Sequence, residues 1–210
     1  MIKFENTEVM NFYGAVRGMR NPLNSWDKSD SDFRYEYEEQ AYLGSNDLNL
    51  MKRLIKAGSD HRKFMRQIFV CVDITAPLYW WKEFDTYKIG TVSNSCSTMH
   101  KIHAKEFTLE DFSIEHLNED VIEKPFKTII NCLNFFRKSY IRTKDKDDWW
   151  QMIQLLPSSY NQKRTITLNY ETLHNIYGSR KGHKLDEWSV GFMEWIKTLP
   201  YAEELIVNRD

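Results

Sequence analysis

Apolar positions along the chain recur with helical spacing in several separate stretches. Leu50, Met51, Leu54 and Ile55 share one face of a helix predicted over Asp47–Ala57, capped by Asn46 and stopped by Gly58. The longest periodic stretch is Glu119–Arg142, with Val121, Ile122, Phe126, Ile129, Ile130, Leu133 and either Phe136 or Phe135 on one side. Pro125 lies inside it and moves the expected start to Lys124–Phe126, because proline lacks the N–H that a helix interior needs. Further helices are predicted over Leu78–Asp85 after Pro77, over Trp149–Leu156, over Tyr170–Ser179 behind an Asn169 cap, and over Lys184–Thr198 up to Pro200. Gln67–Thr75 is rich in β-branched residues and reads as a strand, as does the alternation Thr165–Leu168. A short strand is expected at Ile2–Phe4. The rest of residues 1–45 reads as irregular, with residues 24–40 as a surface loop or flap. Residues 88–99 are small and polar and read as a loop, and Lys144–Asp148 as a charged connector. Helices outnumber strands without regular βαβ alternation, so the expected class is α+β.

The length of 210 residues fits one domain spanning 1–210. Lys and Arg number 29 against 30 Asp and Glu, a balance that argues against a nucleic-acid polymer as partner. The 3 cysteines form no CxxC pair, the N-terminus has no apolar signal region, and no apolar run is long enough to span a bilayer. A cytoplasmic protein is the expectation.

Candidate chemistry is sparse. His100 and His103 are three residues apart, but no carboxylate completes a metal motif, and no metal is expected. There is no GxSxG, P-loop or GxGxxG pattern. Ser97 would need a base beside it to act as a nucleophile. The 88–99 loop carries hydroxyls and backbone N–H groups of the kind that cradle anions. Arg180 ends the helix that Asn169 opens, where it either complements the helix dipole or offers a permanently charged fork. Asn175 sits in that helix interior, where asparagine is a poor helix former and a specific hydrogen-bonding role gains weight.

The order of these elements resembles the flavin-dependent thymidylate synthases over about residues 59–200. Ser59-Asp60-His61 resembles the family's histidine-containing turn before a strand. Ala76-Pro77-Leu78 resembles the segment leading to its Arg-His-Arg motif. Ser93–Ser97 matches its Asn-Glu-x-Ser core at Asn94 and Ser97. Leu156-Pro157, Asn169, Asn175, Arg180, His183 and Glu187 follow its closing pattern. The resemblance implies an α+β fold with a mixed sheet and long flanking helices, and a homotetramer. It implies FAD as cofactor, with NADPH and methylenetetrahydrofolate as co-substrates, in the methylation of dUMP to dTMP. His61, Lys88, Asn94, Asn169 and Asn175 would hold the cofactor. Ser95, Ser97, Thr98 and Arg180 would hold the substrate, with Arg180 and Ser97 as catalytic residues.

The departures are equally specific. Thr86-Tyr87-Lys88 stands in place of Arg-His-Arg, Ser95 in place of Glu, Met99 of Arg and His100 of Tyr. Ile153 and Glu171 fall where arginines are expected, Arg66 where a glutamate is expected, and Leu185 where a glutamine is. Each lost charge-assisted bond is worth roughly 1.5–3 kcal/mol, so a repurposed, non-catalytic nucleotide-binding protein on the same fold is the alternative.

Overall fold

A computed structural model describes residues 2–33 and 42–208. The chain enters on β1 (Lys3–Met10), turns at Asn11 in the left-handed region (φ 71°), and continues into α1 (Phe12–Arg20). The N-terminal region is therefore ordered structure rather than the irregular stretch expected, and the short strand at Ile2–Phe4 is longer than predicted. The signal for α1 is present at Phe12, Ala15, Val16 and Met19, all buried. Of the proposed flap, residues 24–33 are described and include a 3₁₀ turn at Trp26–Lys28, while 34–41 lie outside the described residues.

Helix α2 (Ser45–Lys56) follows, its first N–H groups taken by the Asp30 carboxylate rather than by a cap at Asn46. Gly58, at φ +99°, makes the left-handed exit that a side chain would resist. A 3₁₀ turn at Arg62–Gln67 leads to β2 (Phe69–Pro77), where Val70, Val72, Ile74 and Ala76 alternate inward and are wholly buried. Next come α3 (Leu78–Phe84), β3 (Thr91–Ser95) and α4 (Thr98–Lys101). The stretch read as a loop at 88–99 thus holds a strand. It lies at one end of the sheet order β1-β2-β4-β3, where small, exposed polar residues are tolerated.

Helix α5 (Glu119–Val121) runs through a π-helical turn at Ile122–Phe126 into α6 (Lys127–Thr143). Helix formation begins at Glu119, ahead of the predicted start, because the wider turn accommodates Pro125. The charged connector is shorter than the predicted Lys144–Asp148: Lys144 is left-handed (φ 59°), the Asp145 side chain caps α7 (Lys146–Leu155), and Lys146–Asp148 are already helical because that cap starts the helix early. Then β4 (Asn161–Asn169), longer than the predicted Thr165–Leu168, runs into α8 (Tyr170–Arg180). The last predicted helix is a π turn at Glu187–Phe192 joined to α9 (Met193–Lys197), and an unpredicted helical segment, Glu203–Val207, follows Pro200. The α+β class holds, and the sheet strands run antiparallel rather than in mixed directions.

The chain forms two compact units. The first comprises Met1–Lys3, Ile74–Thr86 and Asn94–Arg164. Its core joins Ile102, Phe107 and Phe112 to Phe126, Ile130, Leu133 and Met152. Trp81, in the same unit, is buried and donates its indole N–H to the Gln162 carbonyl at 2.9 Å, with the Arg164 guanidinium 4.2 Å from its ring centroid. The second unit comprises Phe4–Asp73, Tyr87–Ser93 and Thr165–Asp210. Its core stacks Phe4 on Trp195 at 4.8 Å, and buried Tyr170 donates its hydroxyl hydrogen to the Pro200 carbonyl at 2.7 Å. These interlocking aromatic contacts bury large areas and fix α8 and its flanks.

Candidate functional site

In the second unit, α8 organises the chemistry. The Asn169 Oδ1 accepts the Thr172 N–H at 2.9 Å, so this side chain is committed to capping and is itself buried. The Thr172 hydroxyl reaches the Ile89 carbonyl at 3.3 Å. Gly90 permits this packing: at φ +70°, a Cβ there would lie 2.6 Å from Asn169 Nδ2. Lys88, two residues earlier, is exposed.

At the other end of α8, the Arg180 Nε–H donates to the Tyr87 hydroxyl at 2.8 Å. The guanidinium carbon lies 5.5 Å from the Tyr87 ring centroid and 5.0 Å from that of Trp188. Trp188 is fully buried and fixed. The Tyr87 hydrogen bond and the two aromatic rings help to hold the cation in one orientation. Tyr87 occupies the central position of the altered Thr86-Tyr87-Lys88 segment, and sequence reasoning assigned it no role.

A second side of α8 carries an ionic cluster around the buried Glu171 carboxylate. Arg62 donates Nε–H to Glu171 at 3.0 Å and Nη2–H to the Asn175 Oδ1 at 3.3 Å, and its Nη1 lies 3.1 Å from the His174 Nε2. Arg66 binds Glu171 as well. Burial of Glu171 works against its charge, but the bonds from Arg66 and Arg62 outweigh it and hold the carboxyl below its usual range. The same bond to Glu171 raises the Arg66 guanidinium above its already high value. Asn175 is therefore exposed and held by Arg62. Nothing in the sequence marked Arg62, although Arg66 and Glu171 were both visible as departures.

His61 is exposed and lines a cavity of ≈ 930 Å³ in this unit, together with Phe64, Leu50 and the cations Lys28, Arg53 and Lys63. Among the described residues, none of these three cations has an ion pair.

The first unit holds the remaining predicted residues. Asn94 and Ser95 are exposed on β3. The Ser97 Oγ accepts the His100 N–H at 3.0 Å as cap of α4, and no side-chain base is bonded to it among the described residues. Its own O–H is left to donate to an anion. Ser97 and Thr98 line a cavity of ≈ 320 Å³ with Lys101, Lys105 and Tyr160. Lys105 pairs with Asp111. Burial, then nearby Lys144, Lys101 and Arg137, holds His103 below the usual histidine range, and its Nδ1 is buried without a hydrogen-bond partner. No group of His, Cys, Asp and Glu able to hold a metal occurs among the described residues.

No protein-family model and no curated protein sequence matches this chain. Solved structures do. A crystal structure of thymidylate synthase X from Helicobacter pylori with FAD and dUMP superposes with a TM-score of 0.70 at 17% identity, covering 98% of this chain and 97% of that one. A second structure, of the flavin-dependent thymidylate synthase from the same organism complexed with FAD and dUMP, gives 0.69 at 16%, covering 97% of each chain. A likeness of this extent at so low an identity establishes the architecture, and the chain has the fold of the flavin-dependent thymidylate synthases.

Proposed function

We propose that the protein is a flavin-dependent thymidylate synthase-like enzyme that methylates dUMP to dTMP, using methylenetetrahydrofolate, NADPH and bound FAD. The observation that carries this reading is Arg180, held by Tyr87 and Trp188 at the end of the helix that Asn169 caps. It stands on a fold whose solved examples hold FAD and dUMP.

The residues present suit a flavin dinucleotide. The cavity beside His61 joins apolar walls to three cations without ion pairs among the described residues, against one carboxylate, Asp60, a combination that suits a ring system linked to a pyrophosphate. Lys28, Arg53 and Lys63 would bind the pyrophosphate, and His61, Lys88, Asn94, Asn169 and Asn175 would complete the cofactor's surroundings. Bound flavin would supply the redox chemistry of the methyl transfer. Arg180 would orient the uracil and stabilise charge developing on its carbonyl oxygen, and its fixed guanidinium would need no rearrangement as that charge grows. Ser95, Ser97 and Thr98 would bind the phosphate through hydroxyl and backbone N–H donors. Ser97 would act as a donor: its Oγ accepts the His100 N–H, its O–H is uncommitted, and no side-chain base among the described residues is bonded to it. We propose a cytoplasmic homotetramer as the working assembly. No helix among the described residues is long and apolar enough to cross a membrane.

A second reading, a non-catalytic nucleotide-binding protein, is favoured by one observation. Arg62 and Arg66 are both bound to Glu171, so these arginines are engaged within the chain. Two measurements separate the readings. Protein loaded with FAD and desalted should keep its flavin absorption and release tritium from labelled dUMP when NADPH and methylenetetrahydrofolate are added. Flavin retention without tritium release supports the non-catalytic reading, and a colourless protein that cannot be loaded overturns the flavoenzyme.

A further inference from the structure

A separate cavity of ≈ 430 Å³ in the second unit lies against α1. Tyr13, Trp26 and Phe33 supply its aromatic walls. Tyr13 and Trp26 are each 50% exposed, so both present uncovered ring surface to a concave space. Tyr13 packs edge-on against Phe33, with centroids 5.5 Å apart. The Trp26 indole N–H donates to the Asn21 Oδ1 at 2.9 Å, which fixes the ring.

Arg17 lines the same cavity, its guanidinium carbon 5.4 Å from the Tyr13 ring centroid. Among the described residues it has no ion pair. Arg20, one helical turn on, is the opposite case. It is buried, and its Nε–H donates to the Asp47 carboxylate at 2.6 Å. Asp47 also accepts the Ser29 and Ser31 hydroxyls at 2.7 and 2.6 Å, and the Asp30 and Ser31 N–H groups, both at 3.2 Å. The Arg20 fork ends on the Ser25 and Lys28 carbonyls at 3.1 and 3.0 Å. A buried ionic network of this kind adds little net stability but strongly restricts conformation. Here it restricts the segment that presents Trp26. The two serines are used up on Asp47, which leaves, among the described lining residues, Arg17, the Asn21 Nδ2 and the Tyr13 hydroxyl as side-chain polar groups for a ligand.

The geometry points to a binding site for a nucleoside monophosphate, its base stacked on Trp26 and Tyr13 and its phosphate gripped by the Arg17 fork. Among the described residues lining this cavity, Arg17 is the one cation without an ion pair, which matches a single phosphate, because Arg20 is held by Asp47. The site uses neither Arg180 nor His61 and shares only the wall residues Arg20 and Asn21 with the cavity beside His61, so it does not rest on the proposed methyl transfer.

The test is calorimetric titration of the full chain with AMP, adenosine and ribose 5-phosphate, followed in parallel by tryptophan fluorescence. AMP should bind about tenfold or more tightly than either fragment, since it alone engages both ring and arginine. Arg17→Gln should bring AMP down to the adenosine level and leave adenosine unchanged, with Arg17→Lys intermediate because it keeps charge but loses the fork. Trp26→Leu should weaken AMP and adenosine together. Arg180→Ala should leave the AMP isotherm unaltered, which separates this cavity from the dUMP reading. Arg17 and Trp26 are exposed, so their variants should melt like the parent. Absence of AMP binding, AMP no tighter than adenosine, or an unchanged isotherm in Arg17→Gln each overturns the proposal.

Discussion

Arg66 and Glu171 form an ion pair across 105 residues of sequence. In the family pattern that the chain resembles, the first position calls for a glutamate and the second for an arginine. Two departures that look independent in sequence are one reciprocal exchange in space, with the sign of each partner reversed. Arg62 joins the same carboxylate from the other side, so the cluster carries more positive than negative charge.

This arrangement makes Glu171 the member whose loss costs most. Its side chain is 9% exposed against 51% for Arg66. Glu171→Gln should destabilise the fold by about 2–3 kcal/mol, because Arg62 loses its buried counter-charge. Arg66→Gln should cost about 1 kcal/mol or less, as befits a half-exposed partner. Chemical denaturation of both variants checks the order, and equal losses would refute it.

The same carboxylate predicts a pH dependence. Its folded-state pKa lies below the ordinary value of 4.5, so its contribution is fully present above that value and fades as pH falls through the lowered one. The stability gap between the parent and Glu171→Gln should therefore be constant near neutrality and narrow only below about pH 4.5. Denaturation midpoints for the pair from pH 7 to pH 3 test this; a gap that narrows above pH 5 contradicts it.

Tyr87→Phe isolates the bond that holds Arg180. It removes the hydroxyl acceptor and keeps the ring, so a loss of about 1–2 kcal/mol, roughly tenfold, is expected in dUMP affinity. Combined with Arg180→Ala it should have no further effect, since the two residues act as one unit. Additive losses in equilibrium titrations would show that Tyr87 acts independently of the arginine.

Gly90→Ala should destabilise the protein by about 1–3 kcal/mol. The backbone there is left-handed, and the new methyl would stand 2.6 Å from Asn169 Nδ2. Asn169→Ala removes the obstacle and the cap together, so the double variant should lose less than the sum of the singles. Thermal melts of all three decide it.

Flavin retention should depend on the cations beside His61. Arg53→Glu with Lys63→Glu should reduce FAD retained after desalting about tenfold or more, and raised salt should weaken loading of the parent. Absorption spectra after gel filtration report the outcome; unchanged retention would place the flavin elsewhere.

Much of the local structure was legible in the chain itself. The alternation at Val70, Val72 and Ile74, the Asn169 cap before α8, and the apolar stripe of α6 are short-range patterns, and periodicity reports them directly. The order of motifs was enough to identify the architecture, and it brought Arg180 forward as the arginine to watch. The misses have physical causes. β3 carries small polar residues because it borders the sheet and buries little, so no alternation marks it. Helix formation persists through Pro125 because a π turn absorbs the missing N–H. The partners of the candidate residues were beyond sequence altogether. Tyr87 meets Arg180 across 93 residues, and Arg62 meets Glu171 across 109. Such pairs depend on the packing of whole elements, which no local spacing encodes. The sequence thus determined which elements form and which charged residues stand out. Tertiary structure alone decided which of those charges are neutralised within the chain and which remain to meet a ligand.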